Sequence, residues 1–242
     1  MFMKKIALAG VLLATHCSTF SQQENSAMAD EFKEISKFGS RQSGFEGIQT
    51  YSSGIVNGSP FFSPEWSSGS VTTVFNETFG KNYLFLFDKV RQELFMKQSD
   101  SPSIFLIDTK QINSFTLNTG KSHIFISSSF YDSSGVGSFF EVLVKNDKGY
   151  SLLKKIKTKF VPGDPRDIEK QRLGEVYDSF QDDIKYFISL QDGRTQQINL
   201  KEKSIIHSLS QQKNKVETYL AVHKEDLIDE EFLKKLIEFI NQ

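Results

Sequence analysis

The sequence predicts a mainly β fold: an antiparallel meander, curled into a sandwich or half-barrel, followed by short C-terminal helices. Three observations carry this. Between residues 45 and 200, short apolar runs alternate with Gly, Asn, Asp and Ser breaks, the pattern of strands joined by turns. No long helical pattern separates those runs, which disfavours parallel βαβ units. After residue 200 the apolar spacing lengthens to three and four, the period of a helix.

The N-terminus, MFMKKIALAGVLLATHCSTFSQ, places Lys4 and Lys5 before an apolar run from Ile6 to Ala14. At about nine residues this run suits a secretory leader and is too short to span a bilayer. Thr19 and Ser21 flank Phe20 as a small-x-small site, so residues 1–21 are expected to leave as a signal peptide and Gln22 to begin the mature chain. Cys17, the single cysteine, is a poor lipidation site because His16 precedes it directly and Ala14 stands three positions before it. Anchoring through Cys17 is the alternative to a soluble product. With the leader removed no cysteine remains, so the fold rests on buried apolar area without disulfides. The mature chain loses Lys4 and Lys5 and is then about −3, a balance that excludes general nucleic-acid binding. No other run is long enough to cross a membrane.

Residues 22–44 are rich in Gln, Ser, Glu, Lys and Gly and read as a flexible lead, with a helical turn expected in EFKEISKF (31–38). The β domain is expected over 45–200. VTTVFNETF (71–79), YLFLFD (83–88), ELFMK (93–97), SIFLID (103–108), INSFTL (112–117) and HIFIS (123–127) each read as a strand. FFEVLVK (139–145) and YSLLKKI (150–156) flank NDKG as one hairpin, and KYFISL (185–190) and TQQINL (195–200) flank QDG as a second. Phenylalanines recur through these runs, among them Phe85, Phe87, Phe95, Phe105, Phe115, Phe125, Phe139, Phe140 and Phe187. They pack a core, or they line a cavity for an apolar ligand.

The segment 201–242 is expected to form helices packed on the sheet. KSIIHSLSQQ (203–212) and NKVETYLAVH (214–223) are short. The last is stronger: Leu233, Leu236, Ile237 and Ile240 fall at i, i+3, i+4 and i+7, a single face for core packing or for a partner. Asp226 and Asp229 are candidate caps, and Glu230 and Glu231 suit the positive end of the helix dipole.

No catalytic residues emerge. The histidines at 16, 123, 207 and 223 lack HxH or HExxH spacing, so no metal and no cofactor is expected. TGKSH (119–123) resembles the end of a phosphate loop, but Phe115 occupies the required glycine position and a strand follows. Neither SSGVGS (133–138) nor GSPFFSPEWSSGS (58–70) contains G-x-S-x-G. Asp182 and Asp183 read as solvated charges.

One stretch stands apart. KKIKTKFVPGDPRDIEKQR (154–172) carries about +4 in a nearly neutral chain. Strand alternation puts Lys155, Lys157 and Lys159 on one face, either as an ordinary solvated strand or as a contact for an anionic surface.

The runs GSPFFSPEWSSGSV (58–71), FFEVLVKNDKGYSLLKKIKTKF (139–160) and KYFISLQDG with KEKSIIHSL (185–209) are similar to uncharacterised secreted proteins of the Bacteroidota. The resemblance implies export and a β-rich architecture and carries no site residues. The expected function is a non-catalytic binding or structural module of the cell envelope, periplasmic or extracellular, meeting an envelope protein or lipid component. The alternative is a periplasmic carrier of a lipid or other apolar ligand in a cavity of a curved sheet.

Overall fold

Thirteen strands join in one sheet in the computed structural model, which describes residues 41–43, 56–130, 137–174, 176–190 and 194–242. These residues belong to the second of two compact units, Arg41–Gln242. The leader, the helical turn expected at 31–38 and most of the lead lie outside the described residues. The strands are β1 (Arg41–Ser43), β2 (Val56–Asn57), β3 (Ser67–Thr73), β4 (Thr78–Phe79), β5 (Tyr83–Asp88), β6 (Glu93–Gln98) and β7 (Ile104–Ile107). They continue with β8 (Ile112–Asn118), β9 (Ser122–Ser127), β10 (Phe139–Val144), β11 (Ser151–Val161), β12 (Asp178–Ser189) and β13 (Thr195–Ile198). The α-helices among the described residues follow the same numbering: α1 (Ile168–Leu173), α2 (Glu202–Ser208), α3 (Lys213–Val222) and α4 (Glu230–Ile240).

The fold is mainly β with short C-terminal helices. The sheet is large, mixed and open, ordered β1-β7-β6-β5-β3-β8-β9-β10-β11-β12-β13. Adjacent pairs on this path are antiparallel, and the short strand β2 adds a parallel pairing to β12. β1 falls inside the segment expected as a lead and pairs with β7. The run 71–79 is not one strand: it breaks after Thr73 and resumes at Thr78. Asn76 takes a left-handed φ of 61° there, and the Thr73 hydroxyl accepts from the amides of Phe75 and Glu77.

β3 lies between β5 and β8, so the path is not a simple meander. This placement forces curvature. β7 and β8 stand four strands apart in the order, roughly 19 Å in a flat sheet at about 4.8 Å per strand. Their link is Asp108–Gln111, and Thr109–Gln111 forms a 3-10 turn. Such a turn rises only about 2 Å per residue, so the link reaches roughly 13 Å. The strands from β3 to β8 therefore curl toward one another without closing.

The concave side of the curl is filled. Phe85, Phe87, Phe115, Phe125 and Phe139 are each at most 2% exposed. Phe115 and Phe125 face each other across β8 and β9 and stack at 4.6 Å, while Phe139 meets Phe115 edge-on at 5.0 Å. Gly69 on β3 is required by a close approach. A Cβ there would lie 1.9 Å from the Thr116 carbonyl oxygen. On the other face of β5, β6 and β7, Leu86, Phe95 and Ile104 are covered by Phe61 and Trp66. The Ser/Pro-rich segment before β3 thus acts as a cover.

The helices close one face of the second half. Leu233, Leu236 and Ile237 are fully buried and Ile240 nearly so, against Tyr150, Leu152, Ile188 and Ile198 of the sheet. Asp229 caps α4, its carboxylate accepting from the Phe232 amide at 2.9 Å. Asn241, just past α4, bonds both backbone groups of Tyr150 and ties the helix end to the start of β11.

Candidate functional site

The longest feature in the sheet is the ribbon of β11 and β12. It is paired without a break from Ser151↔Ser189 to Val161↔Ser179. Unbroken register preserves the two-residue alternation along its whole length, so the sequence sorts onto two chemically different faces.

Lys154, Ile156, Thr158 and Phe160 take the face shared with the helices and the aromatic core. Their partners are Tyr186, Ile184, Asp182 and Phe180. Here the turn between β5 and β6 docks on β11 beyond the start of β10. The Thr158 amide donates to the Lys89 carbonyl, and the Gln92 side-chain amide donates to the carbonyls of Lys89 and Ile156. The Lys89 ammonium, 9% exposed, reaches both Asp182 carboxylate oxygens at 2.8 and 2.9 Å. Thr158 donates its hydroxyl to the same carboxylate. Burial raises the Asp182 pKa, but the Lys89 and Thr158 hydrogen bonds and the Lys89 charge outweigh it and hold the carboxyl below its ordinary value. Asp182 is therefore one end of a tie between the two halves of the sheet, not a merely solvated charge.

Lys155, Lys157 and Lys159 take the opposite face. Lys157 and Lys159 are exposed and Lys155 is half-buried, its ammonium 5.5 Å from the centre of the Phe140 ring. Across the ribbon they meet Lys185, Asp183 and Gln181. The Asp183 carboxylate pairs with Lys185 at 3.4 Å. Among the described residues of the ribbon, the exposed Lys157, Lys159 and Lys185 thus share this face with one carboxylate, leaving a net positive strip. In the connection beyond Val161, Ile168 is 71% exposed and Leu173 69%.

A second charged group was missed by sequence reasoning. His123, Glu141, Lys154, Glu230 and Tyr186 form a chain across β9, β10, β11, α4 and β12. The His123 Nδ1 lies 2.6 Å from Glu141 Oε1. Lys154 stands 3.7 Å from Glu141 Oε2 and 2.8 Å from Glu230, and Tyr186 donates to Glu230 at 3.1 Å. Glu141 Oε2 is buried without a hydrogen bond, so its contact with Lys154 is purely electrostatic. Burial first, then the Glu230 charge, raises the Tyr186 pKa and keeps the phenol a donor. The ring edge of Phe62 packs against His123 at 4.8 Å. The one available signal was Glu141 itself, an acid at an inward position of FFEVLVK. This chain pins the N-terminus of α4 to the sheet. It holds carboxylates, an imidazole and an ammonium, and among the described residues no serine, threonine or cysteine is bonded into it.

Other chemistry is sparse. Among the described residues no three His, Cys, Asp or Glu gather to hold a metal. TGKSH leads into β9, a strand. His223 stacks on Tyr219 and pairs with Asp226 at 2.8 Å, between two open surface clefts of about 280 and 410 Å³. A third cleft of about 510 Å³ lies against Phe62, Pro64, Trp66 and Asn118. No described helix is long and apolar enough to cross a membrane. The chain matches no protein-family model, no curated protein and no solved structure.

Proposed function

We propose that this protein is an exported, non-catalytic binding module of the bacterial cell envelope, released by removal of residues 1–21, and that it works through its outer surface. The similarity of its sequence to secreted proteins of the Bacteroidota belongs to the same proposal. The supporting observation is the packing of the curled half. Phe87, Phe115, Phe125 and Phe139 interlock ring to ring, and together with Phe85 they are at most 2% exposed. A carrier needs a hollow of several hundred Å³ where these rings lie. The clefts described above open at the surface and are bordered by charged or polar groups.

Mass spectrometry of the exported protein under native conditions, followed by organic extraction, tests this. The expected species begins at Gln22, carries no diacylglyceryl group on Cys17 and releases no stoichiometric lipid. A bound lipid that survives purification at one per chain would replace the binding module by the carrier. A lipidated Cys17 would place the protein on a membrane by covalent anchoring.

A further inference from the structure

Resting on that reading of an exported binding module, we propose that the basic face of the β11–β12 ribbon seats the protein on an anionic lipid bilayer. Complementary charge selects the partner. Among the described residues of the ribbon, Lys157, Lys159 and Lys185, with Lys155 beside them, share one face with one carboxylate, that of Asp183. The acid of the next register position, Asp182, is turned to the other face and neutralised there by Lys89. The ribbon therefore segregates its charge: its outward side is positive in a chain whose total is slightly negative.

Two further features fit a bilayer better than a soluble polyanion. Lysines two residues apart on a strand are roughly 7 Å from one another, in a row that lies along a surface rather than around a groove. At the end of the same ribbon, Ile168 and Leu173 are about 70% exposed and Tyr177 is 38% exposed. Exposed apolar and aromatic side chains in the connection at one end of a basic strip suit the headgroup boundary of a membrane and gain nothing from a hydrated polymer. Binding of this kind is weak and reversible. Each lysine near an anionic surface strengthens partitioning roughly fivefold, the equivalent of about 1 kcal/mol.

The test is sedimentation of the full exported protein with phosphatidylcholine vesicles and with vesicles containing phosphatidylglycerol. The expected result is pelleting with the anionic vesicles only, lost as the screening length falls from about 8 Å at physiological salt to about 3 Å at 1 M. Replacing the exposed Lys157, Lys159 and Lys185 by Gln together should weaken partitioning about a hundredfold. Asp183→Asn, which adds no bulk, should strengthen it severalfold. Circular dichroism of each variant establishes that the ribbon still folds. Equal pelleting with both lipids, or an unchanged affinity of the triple lysine variant, overturns the proposal. So does preferential capture by soluble polyphosphate in competition with vesicles. Such a failure leaves the binding-module reading standing, because that reading is decided by the mature mass and the lipid extraction.

Discussion

Asp182→Asn tests the tie that joins the two halves of the sheet. The substitution keeps the size and shape of the side chain and removes its charge. Lys89 then stays buried at 9% exposure with a neutral amide in front of it. Removing one partner of a fully buried pair costs about 3–5 kcal/mol. Here the carboxylate side is 37% exposed, so water screens the interaction and about 2 kcal/mol is the expected loss. Lys89→Met leaves a carboxylate that water and Thr158 can satisfy, and should cost less, about 1 kcal/mol. The double variant should lose less than the two singles combined, because they share one contact. The pH dependence has a definite sign. The folded-state pKa of Asp182 lies below its ordinary value of 3.8, so its stabilisation is complete above that value and disappears as pH falls through the lowered folded-state pKa. Urea unfolding followed by the fluorescence of Trp66, the sole tryptophan, reads all four proteins at pH 7 and through the acid range. Asp182→Asn within 0.5 kcal/mol of the native protein at pH 7, set against the roughly 2 kcal/mol expected, would refute the tie. A difference that persists undiminished at the acid end would refute the charge as its cause.

Leu236→Asp or Ile237→Asp should unfold the whole second half, since each buries a carboxylate among side chains that are fully enclosed. The loss is several kcal/mol, comparable with the total stability of a domain, and a melting temperature equal to that of the native protein would mean that α4 leaves the sheet without consequence. Gly69→Ala should cost about 1–3 kcal/mol by driving a methyl group into the Thr116 carbonyl. Amide exchange in β3 and β8 should accelerate in that variant, and unchanged exchange would mean that the strands part easily at that point.

The elements that one face of the chain specifies by itself were legible in the sequence. The NDKG hairpin became β10 and β11, KYFISL and TQQINL paired as β12 and β13, and Leu233, Leu236, Ile237 and Ile240 share one face of α4. What was missed depends on distant partners. The first half of β12, Asp178–Asp183, carries little apolar signal because one side is exposed and the other is held by Lys89, 93 residues away. The position of β3 between β5 and β8 depends on a choice among edges that look alike in sequence. The His123–Glu141–Lys154–Glu230 chain draws one residue from each of four elements, and only assembly shows that their charges converge. The alternation of Lys155, Lys157 and Lys159 was readable. Their sharing of a face with Lys185 and Asp183 required the register of the ribbon.

The placement of β3 also dictates an order of events. When β3 has paired with β4 and β5, its other edge is still bare, and the strand that covers it, β8, begins only at Ile112. The hairpins in between can form early from neighbours in the chain, while the β3–β8 seam must wait and draw its ends together over a long loop. The second half waits longer still. The apolar side of β10 to β13 is not covered until α4 docks, and the last side chain in that contact is Ile240. A chain emerging from its N-terminus therefore carries an unfinished sheet for most of its synthesis. Until residue 240 arrives, those uncovered strands are open to association with other chains.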